Sequence, residues 1–221
     1  LANARAGTSV NITDAGTGTH TITRTGQPRY TANGILDLES TPIAIMEDLL
    51  TAGAAALVYA QGEYRLFVGA ATSSSLTLTI SDLRGDIRVR PRTPKKDLYN
   101  AVRGPFVDQD QFWQPGDFPP MTNVFYEDQD NGERLFRDIE LPFTTDATTA
   151  QRIAKIHLEK SRQPITVEWP AKLNALQLSV WDVVGLTVAT LGWTAKEFRG
   201  IGWTLADDGG VDLLLQEESA A

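Results

Sequence analysis

Residues Lys196–Glu218 read KEFRGIGWTLADDGGVDLLLQEE. The segment reads as two strands that turn at Asp208-Gly209, because an Asp-Gly pair tolerates the positive φ that a tight hairpin turn demands. Working back from it, DVVGLTV (182–188) and ITVEW (165–169) add further strands, so the C-terminal half is β-rich. One helix interrupts it between Asp146 and Ser161. Ala150, Ile153, Ala154 and Leu158 fall there at helical spacing, with Arg152, Lys155, Glu159 and Lys160 outside. Upstream, LYNAVRGPFV (98–107) is extended. FYEDQDNGERLFRDIEL (125–141) reads as another hairpin, tipped at Asn131-Gly132.

RTPKKD, Arg92–Asp97, reads as a linker, with Pro94 and two lysines and nothing to bury. Before it the pattern changes. Thr41 can cap a helix, Pro42 suits its first position, and Ile45, Met46, Leu49 and Leu50 form an apolar stripe. ALVYAQGEYRLFVG (56–69) alternates around Gln61-Gly62 as a hairpin, and SLTLTI (75–80) gives a strand. IRVRPR (87–92) sets Arg88, Arg90 and Arg92 on one face and Ile87 and Val89 on the other. In the first 29 residues Thr17, Thr19, Thr21, Thr23 and Thr25 recur at period two, with Ile22 the only large apolar residue among them. That composition reads as a floppy or edge arm, or as a strand of a lost neighbouring domain.

The expected fold class is α+β, mainly β. Residues 1–29 are a Thr-rich arm or the remnant of a preceding domain. Residues 30–95 form a small helix-plus-hairpin unit, and 96–221 a β-barrel-like unit with one helix. The 221 residues are enough for a real core, and 42% hydrophobic with 22% charged residues is an ordinary globular composition. The chain opens Leu-Ala-Asn rather than with Met, which reads as a fragment or processed piece. There is no signal-peptide pattern and no apolar run near the roughly 20 residues that span a bilayer.

Composition excludes several chemistries. Without Cys there is no disulfide framework or thiolate, and His20 and His157 alone cannot make a histidine-rich metal site. A net charge of −8 argues against tight nucleic-acid binding. The patterns G-x-S-x-G, G-x-x-x-x-G-K-[ST] and G-x-G-x-x-G are absent. Asp128, Asp130 and Gly132 resemble part of a calcium loop, but the glycine falls too early and no closing glutamate follows. His157 sits on the helix stripe and reads as a histidine at the edge of the core.

Paired carboxylates remain open, because two can meet from anywhere in a sequence. Asp108, Asp110, Asp117 and Glu127 lie near FWQPGDFPP (112–120), and aromatics beside carboxylates suit a sugar site. The same carboxylates equally well solvate turns. Arg88, Arg90 and Arg92, with Lys95 and Lys96, are the one basic cluster. They can grip an anion or meet acidic residues across an interface, and 103–140 holds nine carboxylates against three arginines.

Three stretches together carry a resemblance. They are YTANGILDLESTPIAIMEDLLTAGAAALVYAQGEYRLFVG (30–69), DLRGDIRVRPRTPKKDLYNAVRGPFVDQDQFWQPGDFPP (82–120) and ERLFRDIELPFTTDATTAQRIAKIHLEKSRQPITVEWPAK (133–172). In order and spacing they resemble the central hub region of the lambda-like phage tail-tip family, the tip attachment or host specificity protein J family of phages and prophages. The blocks Asn100–Gly104, Trp113-Gln114-Pro115 and Asp138–Thr144 carry it, from about Tyr30 to Glu217. Trp181-Asp182 departs from it, where Gly-Asp is expected.

The resemblance implies a structural role in a virion tail tip. Three full-length chains would form a ring that closes the tail tube and carries host-recognition parts. The partners would be other tail-tip and tail-tube proteins, with no cofactor, no metal, no catalytic residue and no membrane insertion. FWQPGDFPP then reads as a proline-stiffened contact loop, since Trp and Phe supply contact energy where water is excluded. The candidate interface residues are Phe112, Trp113, Phe118, Arg88, Arg90 and Arg92. The alternative is a carbohydrate-binding or carbohydrate-hydrolysing module built on residues 106–127.

Overall fold

The computed structural model describes residues 9–14, 18–23, 28–36, 39–60, 62–69, 72–92, 94 and 97–218. Two compact units divide the chain, Leu1–Thr31 and Ala32–Ala221. In the first, β1 (Ser9–Asp14) and β2 (Gly18–Thr23) pair antiparallel. The period-two threonines therefore include a strand, although Thr17 and Thr25 lie outside the described residues.

The second unit opens with α1 (Pro42–Thr51), where Pro42 stands at the first turn and supplies a preset helical φ. The hairpin of β3 (Ala56–Ala60) and β4 (Glu63–Phe67) follows, with Gly62 at φ +85 in its turn; Gln61 lies outside the described residues. Then come β5 (Leu76–Thr79) and β6 (Arg88–Arg90). Between them Asp82 accepts from the backbone N–H of Thr79 at 2.8 Å, closing a short 3-10 turn. These bonds favour the carboxylate, so its pKa lies below the ordinary value.

The middle of the chain holds β7 (Ala101–Arg103), β8 (Pro105–Asp108), β9 (Gln114–Asp117) and β10 (Met121–Thr122). Next are α2 (Val124–Gln129), β11 (Phe136–Asp138) and α3 (Ala147–Ser161). Asp146 caps α3 by accepting from the Thr149 N–H at 2.8 Å. The helix buries Ala150, Ile153, Ala154 and Leu158, the stripe its spacing foretold. The chain ends with β12 (Thr166–Ala171), β13 (Val183–Val188), β14 (Trp193–Leu205) and β15 (Val211–Glu217). Gly209, at φ +79, turns β14 into β15 where Asp208-Gly209 was expected to.

Six strands form the main sheet in the order β5-β13-β14-β15-β12-β6. Strands on both sides of 92–97 share it. β5 lies parallel to β13, and β6 antiparallel to β12. Alternation places Val167, Trp169 and Ala171 of β12 against Val211, Leu213 and Leu215 of β15 in one core. That core also takes Leu78, Leu186 and Phe198. Burying a side chain of this size contributes about 1.5–3 kcal/mol. A second sheet, β10-β7-β11, packs against α3.

The mainly-β α+β class holds, with two corrections. First, no sheet among the described residues closes into a barrel. The main sheet ends in the four-residue β5 and the three-residue β6, which pair only inward. Second, residues 125–141 do not form a hairpin. Val124–Gln129 is helical, capped by the Asn123 side chain accepting from Phe125 N–H at 3.0 Å. Asn131 and Gly132 do take positive φ, +61 and +77, but they end the helix, with Gly132 N–H donating to Glu127 C=O at 2.8 Å. β11 then pairs parallel to β7 rather than folding back.

Candidate assembly surfaces

Asn100 sets the geometry of the middle region. Its fully buried amide donates to Asp130 Oδ2 at 2.8 Å and to Glu133 C=O at 2.7 Å, and accepts from Leu135 N–H at 2.8 Å. This draws 133–138 alongside β7 and accounts for the parallel pairing. Four residues on, Gly104 has φ +153, and a Cβ there would stand 1.8 Å from Ile139 O. Only glycine permits that approach. Ile139 N–H donates to Arg103 C=O and Leu141 N–H to Pro105 C=O, at 2.9 and 3.1 Å. Asn100–Gly104 is thus an internal clamp.

The clamp roots the β8–β9 hairpin, which pairs Pro105–Asp108 with Gln114–Asp117. Val107 N–H donates to Thr144 C=O, and Phe118 N–H to Gly104 C=O, at the hairpin's base. Phe118 is 1% exposed, so this chain's own core takes it. The tip is different. Phe112 is 89% and Trp113 54% exposed. Both adopt left-handed backbone, φ +55 and +64, which costs about 1–2 kcal/mol for each non-glycine residue. Asp108 holds the turn, accepting from Asp110 N–H at 2.9 Å through its side chain and from Trp113 N–H at 2.9 Å through its carbonyl. No Lys or Arg occurs from 104 to 133.

The arginine row lies at the opposite extreme of charge. β6 is an edge of the main sheet, with Val89 toward the core and Arg88 and Arg90 in solvent. Glu168 serves both, at 3.7 and 2.7 Å. Arg92 is exposed, and Lys95 and Lys96 lie outside the described residues. Within the chain, Arg88 and Arg90 thus pair with a β12 carboxylate rather than with the acidic 103–140 segment. An open groove of about 670 Å³ runs beside it, lined by Arg88, Glu168, Pro170, Gly202, Asp212 and Leu214.

Several of the ionisable groups that sequence reasoning singled out are held in structural pairs. Glu127 takes Arg134 bidentately at 2.9 and 3.0 Å. Asp130, from the partial calcium pattern, pairs with Arg162, whose guanidinium lies 4.9 Å from the Tyr126 ring. The Tyr126 hydroxyl donates to Glu159, and burial together with that carboxylate pushes the phenol up to about 12. Among the described residues no group of three His, Asp or Glu is placed to hold a metal ion. Burial first, then Lys160 and Arg137, lower the His157 imidazole below its ordinary value. The Asp130–Arg162 pair and the Tyr126–Glu159 hydrogen bond tie α2 to α3.

Sequence reasoning missed the buried pair Arg199–Glu218, at 2.8 Å. Arg199 also donates to Trp181 C=O at 3.2 Å. Trp181 itself has φ +78, which gives the physical reason a glycine is expected at that position.

The described residues thus combine open β-sheets, internal ion pairs and one exposed apolar hairpin tip. The family model described as putative phage tail protein matches residues 41–200, and this chain belongs to that family. Baseplate hub protein pb3 of Escherichia phage T5 is 26% identical over 187 residues, covering 84% of this chain and 19% of that protein. Among solved structures, a chain in the virion of a native gene transfer agent particle matches with a TM-score of 0.65 at 17% identity. That match covers 91% of this chain and 41% of the other. This chain thus spans well under half the length of either relative.

Proposed function

We propose that this chain is part of the hub at a tail tip, where three copies of a longer parent form a ring that closes the tail tube and carries host-recognition parts. The baseplate-hub likeness supports this reading, and one structural observation carries it: the exposed Phe112–Trp113 tip on a hairpin whose base is locked. A stiff base lowers the entropy lost on docking, and Trp and Phe are strong contact residues. Phe112, Trp113, Arg88, Arg90 and Arg92 are the contact residues toward neighbouring subunits and other tail proteins. Phe118 acts from inside by fixing the hairpin.

The role is non-enzymatic and needs no cofactor. A net charge of −8 suits a conduit through which DNA passes without adhering, since like charge repels phosphate. Electron microscopy of particles containing the parent tests the reading. It should place three copies around the tube axis at the tip. A stable two-fold pair, or a position remote from the tip, contradicts it, because a three-fold ring is built from head-to-tail contacts.

A further inference from the structure

We propose that α1 and the β3–β4 hairpin form a docking surface for another protein of the tail particle, one that presents an apolar and basic surface. The proposal rests on the tail role above but concerns a different surface from the hairpin tip and the arginine row.

The helix α1 buries none of its ten residues. Ile43, Met46 and Leu49 are 63%, 42% and 38% exposed. A helix face turned to water normally carries charged and polar residues. In the hairpin, Tyr59 faces Tyr64 and Leu57 faces Leu66 across the strands. Strand alternation puts these four on one side, and Tyr59, Tyr64 and Leu66 are all exposed. The two tyrosine rings pack 4.9 Å apart, which holds them as a preformed aromatic pair. Helix and hairpin are joined firmly. Ala55 N–H donates to Leu50 C=O at 2.9 Å, and Gly69 N–H to Gly53 C=O at 3.0 Å. A Cβ on Gly69 would stand 2.9 Å from the Ala54 Cβ, so the close approach needs glycine there. Helix and hairpin are therefore tied at their shared base, and each presents exposed apolar residues.

Charge selects the occupant. Residues 39–69 hold Glu39, Glu47, Asp48 and Glu63 against Arg65 alone. Exposed acidic residues on the same elements as the apolar anchors favour a basic protein surface. They repel a second copy of the same face, and they repel the anionic headgroups that attract basic segments to membranes.

The test uses the full-length parent in assembled tail particles, with the photo-cross-linking residue p-benzoylphenylalanine in place of Tyr64. The expected product joins it to a net-basic peptide of a different tail protein. Met46→Glu with Leu66→Glu should lower both the cross-link and the incorporation of the parent at least tenfold. Glu47→Lys with Asp48→Lys should do the same by reversing the charge. Unchanged circular dichroism and melting of the isolated variants separate lost docking from lost folding; where the apolar variant melts early, the charge variant decides. Cross-links only to another copy of the chain, transfer of the chain to vesicles of anionic phospholipid, or undiminished incorporation of both variants each overturn the proposal. Absence of the unaltered parent from the particles overturns the tail role itself, and this surface with it.

Discussion

Helix α3 sinks Ala150, Ile153, Ala154 and Leu158 into the body, whereas α1 half-buries Ile45 and Leu50 and leaves Ile43, Met46 and Leu49 partly in water. Both helices carry apolar residues at helical spacing, and both begin with an appropriate first turn. What separates them is the partner. α3 lies on β7, β8 and β10, with its cap at Asp146 closed by two bonds from Thr149. At α1, the Thr41 cap makes no side-chain bond. An apolar stripe thus records that something covers a helix, without saying whether the cover is in the same chain. The exposed apolar residues of α1 are those proposed above as part of a docking surface.

Substitutions on the two helices and at their supporting turns separate the two cases. The largest effect is expected at Gly104, under the body that α3 covers. Gly104→Ala forces a Cβ into Ile139 O and should cost about 4 kcal/mol or more, read as loss of the cooperative urea transition. An unaltered midpoint would show that β7 and β11 are not locked as described. Ile153→Ala, on the buried face of α3, should cost about 2–5 kcal/mol in the same assay. Gly132→Ala makes a control for pure backbone strain. Its φ is +77 but nothing lies within 4 Å of the added Cβ, so about 1 kcal/mol is expected.

Acid should also tell the two helices apart, because α3 contains the half-buried His157 and α1 has no histidine. Lys160 and Arg137 reinforce the effect of burial, and the Tyr99 hydroxyl is engaged with the His157 carbonyl rather than its ring. The folded imidazole titrates below the unfolded value of 6.5, so the unfolded chain binds more protons in between. Stability is then full above pH 6.5 and declines as pH falls toward the folded pKa. Urea midpoints at about pH 7.5 and about pH 5.5 should differ in that direction, and His157→Gln should reduce the difference. The smallest effect belongs to α1. Met46→Ala should shift stability by about 1 kcal/mol or less, since the side chain is already 42% exposed. A shift matching that of Ile153→Ala would erase the distinction between the helices.

Much of this architecture was legible because its signals are local. Asp208-Gly209 turns the last strand pair, Pro42 starts α1, and the α3 stripe buries as spaced. The misread hairpin at Asn131-Gly132 shows where locality ends. Left-handed residues close a helix as readily as they tip a hairpin, and the choice was made from a distance by Asn100 holding Glu133 and Leu135. Barrel closure likewise depended on how the edges β5 and β6 pair, which no strand pattern encodes. Phe112 and Phe118 looked alike in one aromatic loop, yet the hairpin geometry exposes one and buries the other. The uncovered face of α1 was invisible for the same reason, since spacing gives a stripe but not its neighbour.

Hydrogen exchange, measured on the isolated chain and on the assembled tail particle, can decide whether α1 and β3–β4 gain on assembly a cover that α3 already has. In the isolated chain, amides of 42–67 should exchange much faster than those of α3. On assembly, 42–67 should gain protection of about tenfold or more, while α3 stays nearly unchanged. Equal protection of the two helices in the isolated chain, or no gain at 42–67 in the particle, would contradict the account.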